Sequence, residues 1–168
     1  QWIGEMRRIA ATHPGTGACT LATAMQTWLW TLRFLQNATD ANGAKLYQSA
    51  RQGVTFPLAD ALCWLLASRC QILDVLELER EGPNNPVVSE GLAGTLAFLT
   101  DLCHVQAARA AGEAARICSE LVFGYRRHPA WDSESCMSCY TADDLEALEA
   151  IMPGIGSQAR GCGDVIEA

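Results

Sequence analysis

Two cysteines separated by two residues are the clearest candidates for chemistry in this sequence. Cys136 and Cys139 have the spacing of metal ligands or of a dithiol, because two intervening residues let both sulfurs face one ion. Cys162 and His128 are the candidate third and fourth ligands of a Cys3His site. A single CxxC without a second pair also fits a disulfide or redox pair, or ordinary thiols in a surface loop.

The other residue types that support catalysis are not arranged in a recognisable site. His104 lies beside the apolar face of a predicted helix, which is typical of a packing residue, and His13 and His128 each precede a proline in a predicted loop. The chain has no Gly-x-Ser-x-Gly elbow and no glycine-rich phosphate loop. The catalytic residues therefore stay unknown at this stage.

Composition excludes several classes of function. The chain has 168 residues and is 49% hydrophobic, which is enough for one domain with its own core. A net charge of −7 with 12 scattered lysines and arginines argues against binding of nucleic acid. No apolar run is long enough to span a membrane.

The cysteines also suggest a compartment. Cys63, Cys70, Cys103 and Cys118 fall within apolar helical runs, where a reduced cysteine acts as a small buried hydrophobe. This placement predicts a reducing environment and a cytoplasmic protein. The chain starts at Gln1 without an initiator methionine, so we expect a fragment of a longer protein.

The elements that position these residues are predicted to be helices. Apolar residues recur at steps of three and four in three segments, which predicts long helices over 18–37, 57–80 and 89–127. Short turns between them favour an all-α antiparallel bundle over residues 1–128. Residues 129–168 are expected to form a short irregular segment with a cysteine-containing loop, a short helix and a Gly-rich tail.

Shorter elements complete this prediction. Residues 2–11 and 45–52 are expected to be short helices, and 54–56 is the only β-like triplet. Pro57 is expected as the first residue of its helix, where its missing N–H costs nothing. Thr16 or Thr20 is expected to cap the helix over 18–37, whereas Ser89 or Glu90 would cap the last one.

The predicted helix over 89–127 is longer than a domain of this size needs for its own core. One stripe of small and apolar residues follows its length: Leu92, Leu96, Leu99, Cys103, Ala107, Ala110, Ala114, Ile117 and Leu121. Its alanine-rich middle would allow a neighbouring helix to approach closely. We therefore expect a homo-oligomer, either a dimer or a tetramer.

Several positions resemble the carboxy-terminal helical domain of the acyl-CoA dehydrogenase family. In that family a Tyr-x-x-x-Arg pair closes one helix, a glycine-containing turn follows, and the next helix carries a Leu-Ala pair. Tyr47 and Arg51 match the pair, Gly53 matches the turn, and residues 65–67 match the helix. The segment 123–125, Phe-Gly-Tyr, is similar to the glycine turn that ends the family's next long helix.

The resemblance implies a four-helix bundle that packs against a neighbouring subunit and covers an FAD cofactor. It implies that Arg51 reaches the phosphates of the flavin and that Gly124 and Tyr125 lie beside it. The full-length enzyme would then oxidise an acyl thioester. The family's Tyr-Glu-Gly-Thr segment does not follow Tyr125, and two of its domains are absent, so the fragment should be inactive alone.

A second hypothesis belongs to another class of protein. The chain can be a non-catalytic helical domain that oligomerises or docks a partner through the alanine-rich seam of its longest helix, with the cysteine-rich metal site as a possible addition. The two hypotheses predict different uses for the same helices: one buries them against a flavin and the other against a protein surface.

Overall fold

The computed structural model describes residues 1–40 and 42–123. This part of the chain is mainly helical, and its α-helices are α1 (Trp2–Thr12), α2 (Ala18–Asn37), α3 (Gln52–Glu81) and α4 (Leu92–Phe123). No strand occurs among the described residues, where the only β feature is an isolated bridge between Thr39 and Lys45. The prediction of an all-α fold is therefore confirmed.

Contacts along α3 and α4 show that these two helices are antiparallel. The hydroxyl of Ser68 donates a hydrogen bond to the carbonyl oxygen of Gln106 over 3.3 Å, so the two helix centres lie side by side. Gly82, just after α3, packs directly against Leu92 at the start of α4. The end of one helix therefore meets the beginning of the next, as the short connection between them requires.

The shortest helix, α1, is held against α3 by polar contacts. One carboxylate oxygen of Glu5 lies 2.7 Å from the guanidinium of Arg69, and that guanidinium also lies over the ring of Trp2, 5.6 Å from its centroid. His13, just after α1, lies beside Glu79 near the end of α3. The two helices therefore run in the same direction.

The core contains the residues that the helical periodicity predicted. Leu21, Met25 and Leu35 of α2 are buried, and so are Leu58, Leu65 and Ile72 of α3. On α4 the buried members of the predicted stripe are Cys103, Ala107, Ala110, Ala114, Ile117 and Leu121. The stripe thus packs against the chain's own helices along most of its described length.

The alanine-rich seam of α4 is also occupied from within the chain. Gly17 precedes α2 with a positive φ of 75° and lies so close to α4 that a β-carbon there would come within 2.8 Å of the Cβ of Ala107. The same β-carbon would lie 3.1 Å from the Cα of His104. The seam does allow close approach, but the approaching segment is the α1–α2 turn.

The start of α3 differs from the prediction. The helix begins at Gln52, so Pro57 lies inside it and the 54–56 triplet is helical. Burial explains the earlier start, because Val54 is 3% exposed and lies one helical turn before the buried Leu58. As the sixth residue of α3, Pro57 removes one backbone hydrogen bond and its ring crowds the carbonyl of Gly53, which costs about 3 kcal/mol in a helix interior. Packing of Val54 therefore outweighs the local preferences of the triplet.

Three smaller predictions are also corrected. Residues 45–51 form turns rather than a helix. Gly17 is the N-cap of α2, and the hydroxyl of Thr16 donates to the carbonyl of His13 over 2.8 Å instead of capping the helix. Helix α4 begins at Leu92 rather than near residue 89, since Gly91 has a φ of 87° that no α-helix includes.

The expectation for the cysteines is half right. Cys103 and Cys118 are buried in the bundle, as small hydrophobes should be, and burial raises the pKa of the Cys103 thiol. Cys63 and Cys70 are exposed, which contradicts the prediction. They lie seven residues apart on α3, so both project from the same face, and that face points to solvent.

Candidate docking surface

Large apolar side chains are exposed in a row on α4, on the face opposite the core. Phe98 is 66% exposed, Leu102 42% and Val105 63%. Steps of four and three residues place them on one face of the helix, and we call these three residues the outer stripe. Burying a fully exposed side chain of this kind contributes about 1.5–3 kcal/mol, and these partly exposed residues would contribute a fraction of that, so the row is a surface that favours association.

Charged residues of opposite sign accompany the outer stripe. Asp101 lies between Phe98 and Leu102 in the sequence, and Arg109 lies one turn after Val105. Neither forms an ion pair with another described residue, whereas Arg116 further along α4 is held by Glu113 and Glu120. Arg109 does not pair with Glu113, one helical turn away, because Glu113 accepts hydrogen bonds from Arg116 instead.

Arg109 is fixed in place by an aromatic contact. Its guanidinium carbon lies 5.1 Å from the centroid of the Trp64 ring on α3, within the range of a cation–π interaction. This contact leaves the cation at the exposed junction of α3 and α4, where it can still donate hydrogen bonds. The charge at this end of the outer stripe is thus positioned but not neutralised.

The outer stripe has a helical period that the sequence alone shows. The longer core stripe of the same helix drew attention away from it. The predicted core stripe has nine members, and the same helix carries the three outer residues at the same steps, rotated to the other side. Only the burial of each face shows which stripe is covered by the chain and which is open.

The predicted cofactor residue Arg51 lies in a different setting from the one expected. It is the N-cap residue of α3 rather than part of a closing helix with Tyr47. Its guanidinium pairs with the carboxylate of Asp40. The side chains of Arg51 and Asp40 remain only 25% and 19% exposed.

Asp40 organises the loop between α2 and α3. One carboxylate oxygen accepts hydrogen bonds from the amides of Asn42 and Ala44, at 2.8 and 2.9 Å, while the other accepts from Arg51. The Arg51 hydrogen bond, followed by that of the Ala44 amide, lowers the pKa of Asp40 below its ordinary value of 3.8. The pair therefore joins the loop to the start of α3.

His13 has the partners of a structural histidine. Its Nε2 lies 3.1 Å from the carboxylate of Glu79, and its Nδ1 lies 2.8 Å from the hydroxyl of Thr12. A small cavity of about 130 Å³ adjoins it, bounded also by Thr16 and Thr100. Both ring nitrogens are already engaged, so the residue fastens the α1–α2 turn to α3. His104 is exposed on α4.

An open acidic groove lies at the end of α3. Its lining includes Asp74, Glu77 and Glu81, together with Asn84 of the following turn. Arg80 contacts the carboxylates of Glu81 and Glu77 at 2.9 and 3.8 Å and offsets part of their charge. No group of three or more potential metal ligands is found among the described residues.

The remaining predicted site residues lie outside the part of the chain that the structure describes. These are the metal-ligand candidates His128, Cys136, Cys139 and Cys162, and the flavin-contact candidates Gly124 and Tyr125. The second predicted segment, 129–168, lies outside it as well.

Comparisons with known proteins give no assignment for this chain. No protein-family model, no curated protein and no solved structure matches it significantly. The resemblance to acyl-CoA dehydrogenases therefore stays a prediction. None of the described helices has the length and continuous apolarity needed to cross a membrane.

Proposed function

We propose that this protein is a non-catalytic helical domain that self-associates through the outer stripe of α4. The observation that carries the proposal is the exposure of Phe98, Leu102 and Val105 in one row. The alanine-rich seam, which was the first candidate for this role, is not available: Ala107, Ala110 and Ala114 are buried, and Gly17 packs against Ala107. The outer stripe replaces it as the docking surface.

A second copy of the chain is the occupant that the surface fits. The outer stripe is accompanied by one acidic and one basic side chain, Asp101 and Arg109, neither of which has an ionic partner among the described residues. A surface that carries both signs beside an apolar row is complementary to itself. Association would remove the exposed apolar side chains from water and pair these charges.

Sedimentation velocity of the purified chain at micromolar concentration tests the proposal. The expected result is a dimer or higher oligomer that Phe98→Glu weakens at least tenfold, because a carboxylate would be buried where a phenyl ring had been. Phe56→Glu is the matched control: Phe56 is 60% exposed, lies on α3 and is not part of the outer stripe. A monomeric wild-type chain, or equal effects of the two substitutions, would refute self-association through this surface.

The second candidate is the one implied by the family resemblance, a flavin-covering domain of an FAD-dependent oxidoreductase that acts on acyl thioesters. Its support is Arg51, which lies at the start of α3 with its guanidinium held by Asp40. A pyrophosphate would have to share or displace that carboxylate. Titration of FAD into the full-length protein and its Arg51→Lys variant tests this function, and equal affinities would remove its main residue.

A further inference from the structure

The outer stripe and its two charges also define how two copies would meet. We infer that two α4 helices pack antiparallel about a two-fold axis at Val105, and this inference rests on the proposed self-association. In a pair of this kind, residues equally far from Val105 along the helix lie opposite each other. Asp101 and Arg109 are equally far from it, on opposite sides.

Charge selects this antiparallel arrangement. With the axis at Val105, Asp101 of each copy faces the partner's Arg109, so two ion pairs form across the interface. A parallel pair in register would instead place Asp101 beside the partner's Asp101, and Arg109 beside the partner's Arg109. Like charges at these positions repel, which disfavours the parallel arrangement.

The sizes of the side chains agree with the same register. The axis at Val105 places Phe98 opposite the partner's Gly112 and Leu102 opposite the partner's Ala108, so each large residue meets a small one. A β-carbon at Gly112 would have no neighbour within 4 Å among the residues that the structure describes. Glycine weakens a helix relative to alanine, and nothing inside the described chain requires it there. A glycine at position 112 leaves room for the partner's Phe98, which explains its presence in the helix.

The axis position can be tested by exchanging the two charges. Asp101→Arg and Arg109→Asp should each raise the dissociation constant of the dimer about tenfold, since each turns two attractive contacts into two repulsive ones. The double variant D101R/R109D should return to within about threefold of wild type, because its charges are again complementary. Sedimentation or light scattering at several concentrations measures all four constants.

Two control variants separate register from net charge. Asp60→Arg on α3 and Arg33→Asp on α2 change the chain's charge by the same amounts at exposed residues that form no ion pair with another described residue. Asp101→Arg and Arg109→Asp must raise the dissociation constant of the dimer more than the two control variants do. Gly112→Leu gives a steric readout: no described atom lies within 4 Å of an added β-carbon, so we expect the helicity to be kept while association is lost.

The outcomes distinguish this inference from the function on which it rests. If Phe98→Glu abolishes the dimer but the single charge variants bind like their controls, the register is wrong and self-association stands. The register is also overturned if the double variant dimerises as weakly as the single variants. It is overturned as well if the Gly112→Leu protein still dimerises tightly. A wild-type protein that is monomeric throughout the concentration range overturns both.

Discussion

Replacing Gly17 by alanine should destabilise the bundle more than its small size suggests. Two physical costs add at this position. Gly17 has a φ of 75°, a left-handed conformation that costs an L-residue about 1–2 kcal/mol. The new β-carbon would also lie 2.8 Å from the Cβ of Ala107 and 3.1 Å from the Cα of His104, so the α1–α2 turn must move away from α4.

The steric cost dominates because one of the blocking atoms belongs to the helix backbone. Overpacking a tightly packed core costs about 1–3 kcal/mol, so we expect Gly17→Ala to lower the free energy of unfolding by about 2–5 kcal/mol in total. Gly43→Ala is the matched control. Gly43 has a φ of 78° and no described atom within 4 Å of the new β-carbon, so only the conformational cost of about 1–2 kcal/mol should remain.

Urea denaturation followed by far-UV circular dichroism measures both variants, at one fixed protein concentration because oligomers gain stability with concentration. The difference between the two variants isolates the contact between the turn and α4. Equal losses of stability for Gly17→Ala and Gly43→Ala would mean that the turn does not pack against Ala107.

Three further perturbations test individual contacts. Arg69→Ala should lower the free energy of unfolding by about 1–3 kcal/mol, because it leaves Glu5 of α1 without the cation 2.7 Å away. A loss of stability no larger than that caused by replacing a surface arginine would contradict this. Trp28→Phe should cost about 1 kcal/mol in the same assay, since the indole donates to the carbonyl of Leu58 over 2.8 Å, and an unchanged midpoint would show that this bond contributes nothing. Asp40 has a lowered pKa in the folded state, so its contribution to stability is present above its ordinary value of 3.8 and is lost as the pH falls further. The stability gap between wild type and Asp40→Asn should therefore narrow in acid, and a gap that stays constant would refute the assignment.

The sequence by itself determined the helical elements that have strong periodicity. Helix α2 has the predicted bounds, and the described core side of α4 is the predicted stripe, because apolar residues at steps of three and four can share a face only in a helix. The periodicity was less informative in short segments and in segments of mixed composition. Residues 45–51 had no such pattern, and backbone hydrogen bonds from Leu46 to Ala38 and from Tyr47 to Leu35 hold the segment against the end of α2 instead.

Only the tertiary structure decided which surfaces remain open. Phe98 and Leu99 are adjacent and both apolar, yet Phe98 points to solvent while Leu99 packs against the core. The partners of charged residues were likewise decided by the tertiary structure. Arg69 pairs with Glu5, which lies 64 residues earlier in the sequence, on another helix. Local spacing fixes the face to which a residue belongs, but burial and ion pairing depend on which distant segment covers that face. Those partners are brought together by folding, and a pattern confined to one helix carries no record of them.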